Sequence, residues 1–189
     1  MDAARGPAGR PGQRAALLDG IVDHLLRQGV ATLSLRPLAA ALGTSDRMLL
    51  YYFGTRDKLL VAALTEVGAR LQTSLETALP ADPVSPGLLL EDAWQALRGP
   101  EVEPVLRLYL EISGLAVRGH EPYRLVAAEV AAGWVTWVAA RLDVPEDRRP
   151  EAALGVLTVI DGLLLLRFVV DPAAADAAAG WLRPLLDPR

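Results

Sequence analysis

The sequence predicts an all-α protein, with an N-terminal head of three short helices followed by a larger helical body, about nine helices in all. Three observations predict it. Apolar residues recur at spacings of three and four along most of the chain, and glycine or proline ends nearly every such stretch. No alternating run of β-branched or aromatic residues reads as a strand. The segment Leu35–Lys58, LRPLAAALGTSDRMLLYYFGTRDK, reads as two short helices joined by a tight turn, followed by an aromatic-Gly-Thr break and a new helix start. The 189 residues are 52% hydrophobic and 22% charged, which fits one or two compact domains and excludes a disordered chain. Absence of cysteine excludes disulfides, cysteine-based zinc sites and thiol nucleophiles, and fits a reducing compartment. The first residues, MDAARGPAGRPGQR, lack an apolar core segment. They are expected to form a flexible arm over residues 1–11 of a cytoplasmic protein rather than a secretion signal.

The first helix is expected from about Gln13 to Gln28, with Leu17, Ile21 and Leu25 on one face and Gly29 as its stop. Ser34 is placed to cap the second helix by accepting from Arg36, since Pro37 has no N–H to offer. Leu35, Leu38, Ala39 and Leu42 form the apolar stripe of that helix, and Gly43 ends it. Ser45 caps the third helix, and Asp46 suits its positive end. Thr55 caps a fourth helix, Arg56 to about Leu79. After the loop Pro80–Pro86, further helices are expected at Gly87–Arg98, Glu101–Arg118, Pro122–Leu142, Glu151–Val170 and Ala173–Leu186. Domain boundaries are expected at 12–62 for the head and 63–189 for the body.

At about 100° per residue, Leu49 and Phe53 of the third helix fall together towards a core. Arg47, Met48 and Tyr51 fall on the opposite face, with Leu50 and Tyr52 on the flanks. A short helix presenting a cation, a thioether and a phenol after a glycine turn suits insertion into the major groove of DNA. Charge is distributed accordingly. Residues 1–60 hold eight Lys/Arg against five Asp, a net +3, while the total of −4 leaves −7 on the other 129 residues.

These residues resemble the tetracycline-repressor (TetR) family of bacterial regulators. The resemblance rests on Gly29-x-x-Thr32-x-Ser34-Leu35-Arg36-x-Leu38-Ala39, on Gly43-Thr44-Ser45, and on Leu49-x-x-Tyr52-Phe53-Gly54-Thr55-Arg56-Asp57-x-Leu59-Leu60. It covers about residues 12–62. It implies a DNA-binding head, a ligand-binding body and a homodimer built mainly from the last two helices. By position it assigns Thr32, Ser34, Arg36, Thr44, Ser45 and Arg56 to phosphate contact, and Arg47, Met48, Tyr51 and Tyr52 to the groove-facing helix. On that assignment Arg56→Ala weakens binding uniformly and Arg47→Ala changes base preference. The family often has glycine where Arg47 stands and an aromatic where Leu50 stands. Both departures leave the operator sequence open. Together these features imply a transcriptional regulator, expected to be a repressor released by a small hydrophobic effector, with palindromic double-stranded DNA, a second copy and the effector as partners. No cofactor, metal or membrane contact is expected.

In the body, ALGVLTVIDGLLLLRFVV is apolar nearly all round, though Asp161 and Arg167 interrupt it as a membrane span. Such a helix is buried on most faces, here against its own core and a second subunit. Leu157, Leu164, Phe168, Trp181 and Leu185 are the expected interface residues. Trp94, Leu106, Tyr109, Ser113, Trp134 and Trp137 are candidate pocket residues, with Glu111, Arg118 and His120 as candidate polar partners. Catalysis has little support. His24 and His120 fall in different domains, and HExxH, GxSxG, P-loop and GxGxxG patterns are absent. The alternative to a regulator is an all-helical enzyme or a protein-interaction module without DNA binding.

Overall fold

The computed structural model describes residues 10–31 and 33–187. Thr32 and the greater part of the expected arm 1–11 lie outside the described residues. Among the described residues nine α-helices follow one another: α1 Arg10–Gln28, α2 Leu35–Ala41, α3 Asp46–Phe53, α4 Arg56–Ala78, α5 Pro86–Leu97, α6 Glu103–Val117, α7 Tyr123–Ala139, α8 Arg149–Val169 and α9 Pro172–Leu186. Among the described residues the only extended pairing is a bridge between Val84 and Leu142. The chain divides within α4 into two compact units, the first ending at Val67 and the second starting at Gly68.

The first unit packs Ile21, Val22 and Leu25 of α1, Leu38 and Ala39 of α2, Leu49 and Phe53 of α3, and Leu59, Leu60, Ala63 and Leu64 of α4 into one core. Each fully buried leucine or isoleucine contributes roughly 1.5–3 kcal/mol. Local chemistry shapes the turn between α2 and α3. Gly43 takes φ 64°, a left-handed conformation that glycine adopts without strain. Its N–H donates to the Ala40 carbonyl, and that of Thr44 donates to the Ala39 carbonyl. The Ser45 hydroxyl then accepts from the Met48 N–H at 3.2 Å and starts α3. Thr55 Oγ1 does the same for α4, accepting from Lys58 N–H at 3.1 Å. Ser34 differs from expectation. Its extended backbone precedes α2, but its side chain makes no capping bond. Ser34 is exposed.

The second unit centres on Leu89, Leu90, Trp94 and Leu97 of α5, Leu106 of α6, Val138 of α7, Val156, Leu163 and Leu164 of α8, and Ala175 and Ala179 of α9. α8 packs against α9, α7 and α5, and α7 packs against α6. Close approach of α5 and α9 requires Gly87, where a Cβ would lie 2.6 Å from the Arg183 carbonyl oxygen. Its N–H donates to Asp187 Oδ1 at 2.7 Å. By length and composition Glu146–Val169 contains a stretch apolar enough to cross a bilayer. Both charges within it are engaged in the second unit. Arg167 donates to the carbonyls of Leu97 and Arg98, 3.0 and 3.2 Å away, and Asp161 accepts from Tyr109.

Candidate nucleic-acid interface

The outward face of α3 is built from its buried face. Leu49 and Phe53 anchor the helix from behind, which leaves Arg47 exposed, Met48 half-buried and Tyr51 60% exposed. Leu50 is partly exposed beside them. Tyr52 is tied inward, its hydroxyl donating to Gln13 Oε1 at 2.8 Å, and the edge of its ring meets Tyr51 with centroids 5.1 Å apart. Arg14 lies over the Phe53 ring, 4.9 Å from its centroid. The first turns of α1 therefore support α3 from one side, and Arg47 and Tyr51 keep their side chains towards solvent.

Around α3 the structure brings together exposed Ser34, Arg36 and Ser45 and half-buried Thr44 at or beside helix starts. Backbone N–H groups, hydroxyls and cations at helix starts are the groups that hold phosphate oxygens. Arg56 is not one of the outward cations in this arrangement. Its Nη2 and Nε donate to the Leu33 carbonyl at 3.1 and 3.4 Å, and Nη1 lies 3.6 Å from Asp57. The guanidinium fastens the start of α4 to the chain entering α2. Lys58, two residues on, is exposed.

In the second unit several expected roles change. Trp94 is buried and its indole N–H donates to Asp176 Oδ1 at 2.9 Å, while Leu106 is a core residue. Neither has a side chain free to line an open site. Tyr109, Ser113, Trp134 and Trp137 are half-buried. The Trp134 and Trp137 rings meet edge to face at 5.4 Å, Arg141 lies 3.6 Å from the Trp137 centroid, and the Trp137 N–H reaches Glu76 at 3.3 Å. Glu111 is half-buried, whereas Arg118 and His120 are exposed. On α8 the outward register is displaced by one position from expectation. Leu164 is 2% exposed and belongs to the core, and Leu157 and Phe168 are half-buried. Leu154, Leu165 and Val169 face out instead, and on α9 Trp181 and Leu185 are exposed as expected.

No protein-family model matches the chain. A helix-turn-helix transcriptional repressor of Mycobacterium tuberculosis is 33% identical over 81 residues, 43% of each chain. A helix-turn-helix transcriptional regulator of Mycobacterium bovis matches to the same extent. The match thus spans less than half the length of these relatives. Among solved structures, the multidrug-binding protein EbrR in complex with imidazole superposes with a TM-score of 0.72 at 28% identity, covering 97% of this chain and 98% of that one. A TetR transcription regulator from Haloarcula marismortui gives a TM-score of 0.70 at 20% identity over 92% and 96% of the two chains. The shared fold runs through head and body alike. This chain has the fold of TetR-type transcriptional regulators.

Two supports of the TetR-type head escaped the sequence reading, Gln13 beneath Tyr52 and the Leu33 carbonyl beneath Arg56. Both partners lie far off in the chain, and a backbone carbonyl carries no side-chain signal. Asp161 was legible as an isolated charge in an apolar helix, but only as an argument against a membrane span.

Proposed function

We propose that this chain is a TetR-type, cytoplasmic, sequence-specific DNA-binding regulator that represses transcription as a homodimer and is released by a small effector held in its helical body. The observation that carries this reading is the split character of α3, with Leu49 and Phe53 buried and Arg47 and Tyr51 presented outward, the guanidinium having no side-chain partner among the described residues. Arg47 supplies a fork that matches guanine N7 and O6, and the hydroxyls and cations around α3 supply phosphate contacts. The names of the similar proteins favour a regulator over an enzyme.

Two copies are needed for two half-sites, and the outward stripes of α8 (Leu154, Leu165, Val169) and α9 (Trp181, Leu185) supply an apolar face for a second copy. The effector reading is supported by EbrR, solved with imidazole, proflavin and ethidium. Effector binding would favour a spacing of heads that no longer matches adjacent major grooves. The test is selection of bound duplexes from random DNA. An inverted repeat with half-sites separated by a multiple of about one helical turn is the expected result. Equal retention of all sequences, or none at low salt, would overturn the reading.

A further inference from the structure

Asp161 stands in the middle of α8, a half-buried carboxylate with Leu157, Thr158, Leu164 and Leu165 as its neighbours one turn away. Its Oδ1 accepts from the Tyr109 hydroxyl of α6 at 2.9 Å. Ser113 stands one turn along α6 from the same phenol. Among the described residues no Lys or Arg forms an ion pair with it. The guanidinium nearest in sequence, Arg167, is spent on the Leu97 and Arg98 carbonyls and on Glu103 at 3.8 Å. Several other carboxylates of the unit are neutralised: Glu76 by Arg141, Asp176 by Arg98, and Glu103 by Arg107 and Arg167. A neutral phenol steadies a carboxylate but leaves its charge uncompensated, and a half-buried uncompensated charge is costly.

We propose that Asp161, oriented by Tyr109, anchors a lipophilic organic monocation in the helical body. This deepens the effector reading above and rests on it. The charge that the fold leaves unpaired is supplied by the ligand, and the half-buried ring of Trp134 stands on α7, the helix that packs against both α6 and α8. Aromatic faces favour a delocalised cation over a neutral molecule of the same shape. Inorganic cations are a poor match, since the described residues hold no group of three or more potential metal ligands.

The experiment compares 10-methylacridinium with acridine, a near-isosteric pair, by equilibrium dialysis on the full chain without DNA, at a mildly alkaline pH where acridine is uncharged. Wild type is expected to bind the cation saturably and more tightly than acridine. Asp161→Asn, which keeps a carbonyl for the Tyr109 hydroxyl, is expected to weaken the cation at least about tenfold and to leave acridine unchanged. Asp161→Glu is expected to restore most of the affinity, and Tyr109→Phe to lose a few-fold. No saturable binding of the cation to wild type overturns the proposal, as does equal cation affinity in Asp161→Asn. Altered subunit association in Asp161→Asn with cation binding intact also overturns it, and assigns the carboxylate to contact between copies. DNA retention by the same preparations separates the two readings. A chain that holds its duplex but not the cation contradicts this inference alone, and one that holds the cation but no duplex contradicts the regulator reading alone.

Discussion

Asp161 and Tyr109 both stand in surroundings that disfavour their ionisation. Burial raises the Asp161 carboxyl above its ordinary value, although the Tyr109 hydrogen bond lowers it in part. Burial, then the Asp161 charge and the bond to it, push the Tyr109 phenol up to about 12. For an acid raised on folding, the native state binds more protons than the unfolded chain between the two pKa values. Stability therefore falls as pH rises above the ordinary aspartate value near 3.8 towards the folded one, and the deficit persists at neutral pH. Asp161→Asn should accordingly melt higher than wild type at neutral pH, with the difference vanishing in acid. A lower melting temperature at neutral pH would contradict this account. The tyrosine adds a second decline as pH rises from about 10 to about 12. At Arg56 the bonds to the Leu33 carbonyl predict an effect that needs no DNA. Arg56→Ala should cost about 1 kcal/mol in thermal or urea unfolding, a modest figure because the group is partly exposed. Arg47→Ala should leave unfolding unchanged and alter base preference, read by selection from random duplexes. Equal losses on specific and scrambled DNA would count against that role.

At the scale of the element, the two serines that precede α2 and α3 were read alike in sequence and behave differently in the fold. Ser45 accepts from Met48 N–H, so Ser45→Ala should destabilise the head by about 1 kcal/mol. Ser34 makes no capping bond, so Ser34→Ala should leave the unfolding midpoint within experimental scatter while weakening DNA retention. Matching losses of stability in both variants would refute the distinction. Most helices were legible to within one to three residues at their ends because glycine, proline and capping side chains mark them locally. The facing of α3 was legible too, since its apolar and polar residues alternate at helical spacing. α8 was the opposite case. Its period is erased by apolar residues on every side, so sequence placed Leu164 outward where the fold buries it, and missed Leu154, Leu165 and Val169. Long-range partners such as Gln13 for Tyr52 leave no trace in a spacing pattern.

For the whole molecule, the outward stripes of α8 and α9 predict association. Trp181 is 69% exposed, so Trp181→Glu removes nothing from the core and should fold normally. Sedimentation should show a monomer for the variant and a dimer for wild type, and DNA affinity should fall steeply because two heads no longer act as one. A dimer that survives the change unaltered would place the two-fold axis elsewhere. The four tryptophans of the chain all lie in the second unit, and the first carries only tyrosine and phenylalanine. Indole emission excited at the red edge therefore reports on the body and is blind to the head. Within that signal Trp181 is the solvent-facing chromophore and Trp94 the shielded one. Dilution that parts the copies should shift the spectrum to longer wavelength, whereas loss of the head's structure should leave it unmoved, so one cuvette can time the two events apart.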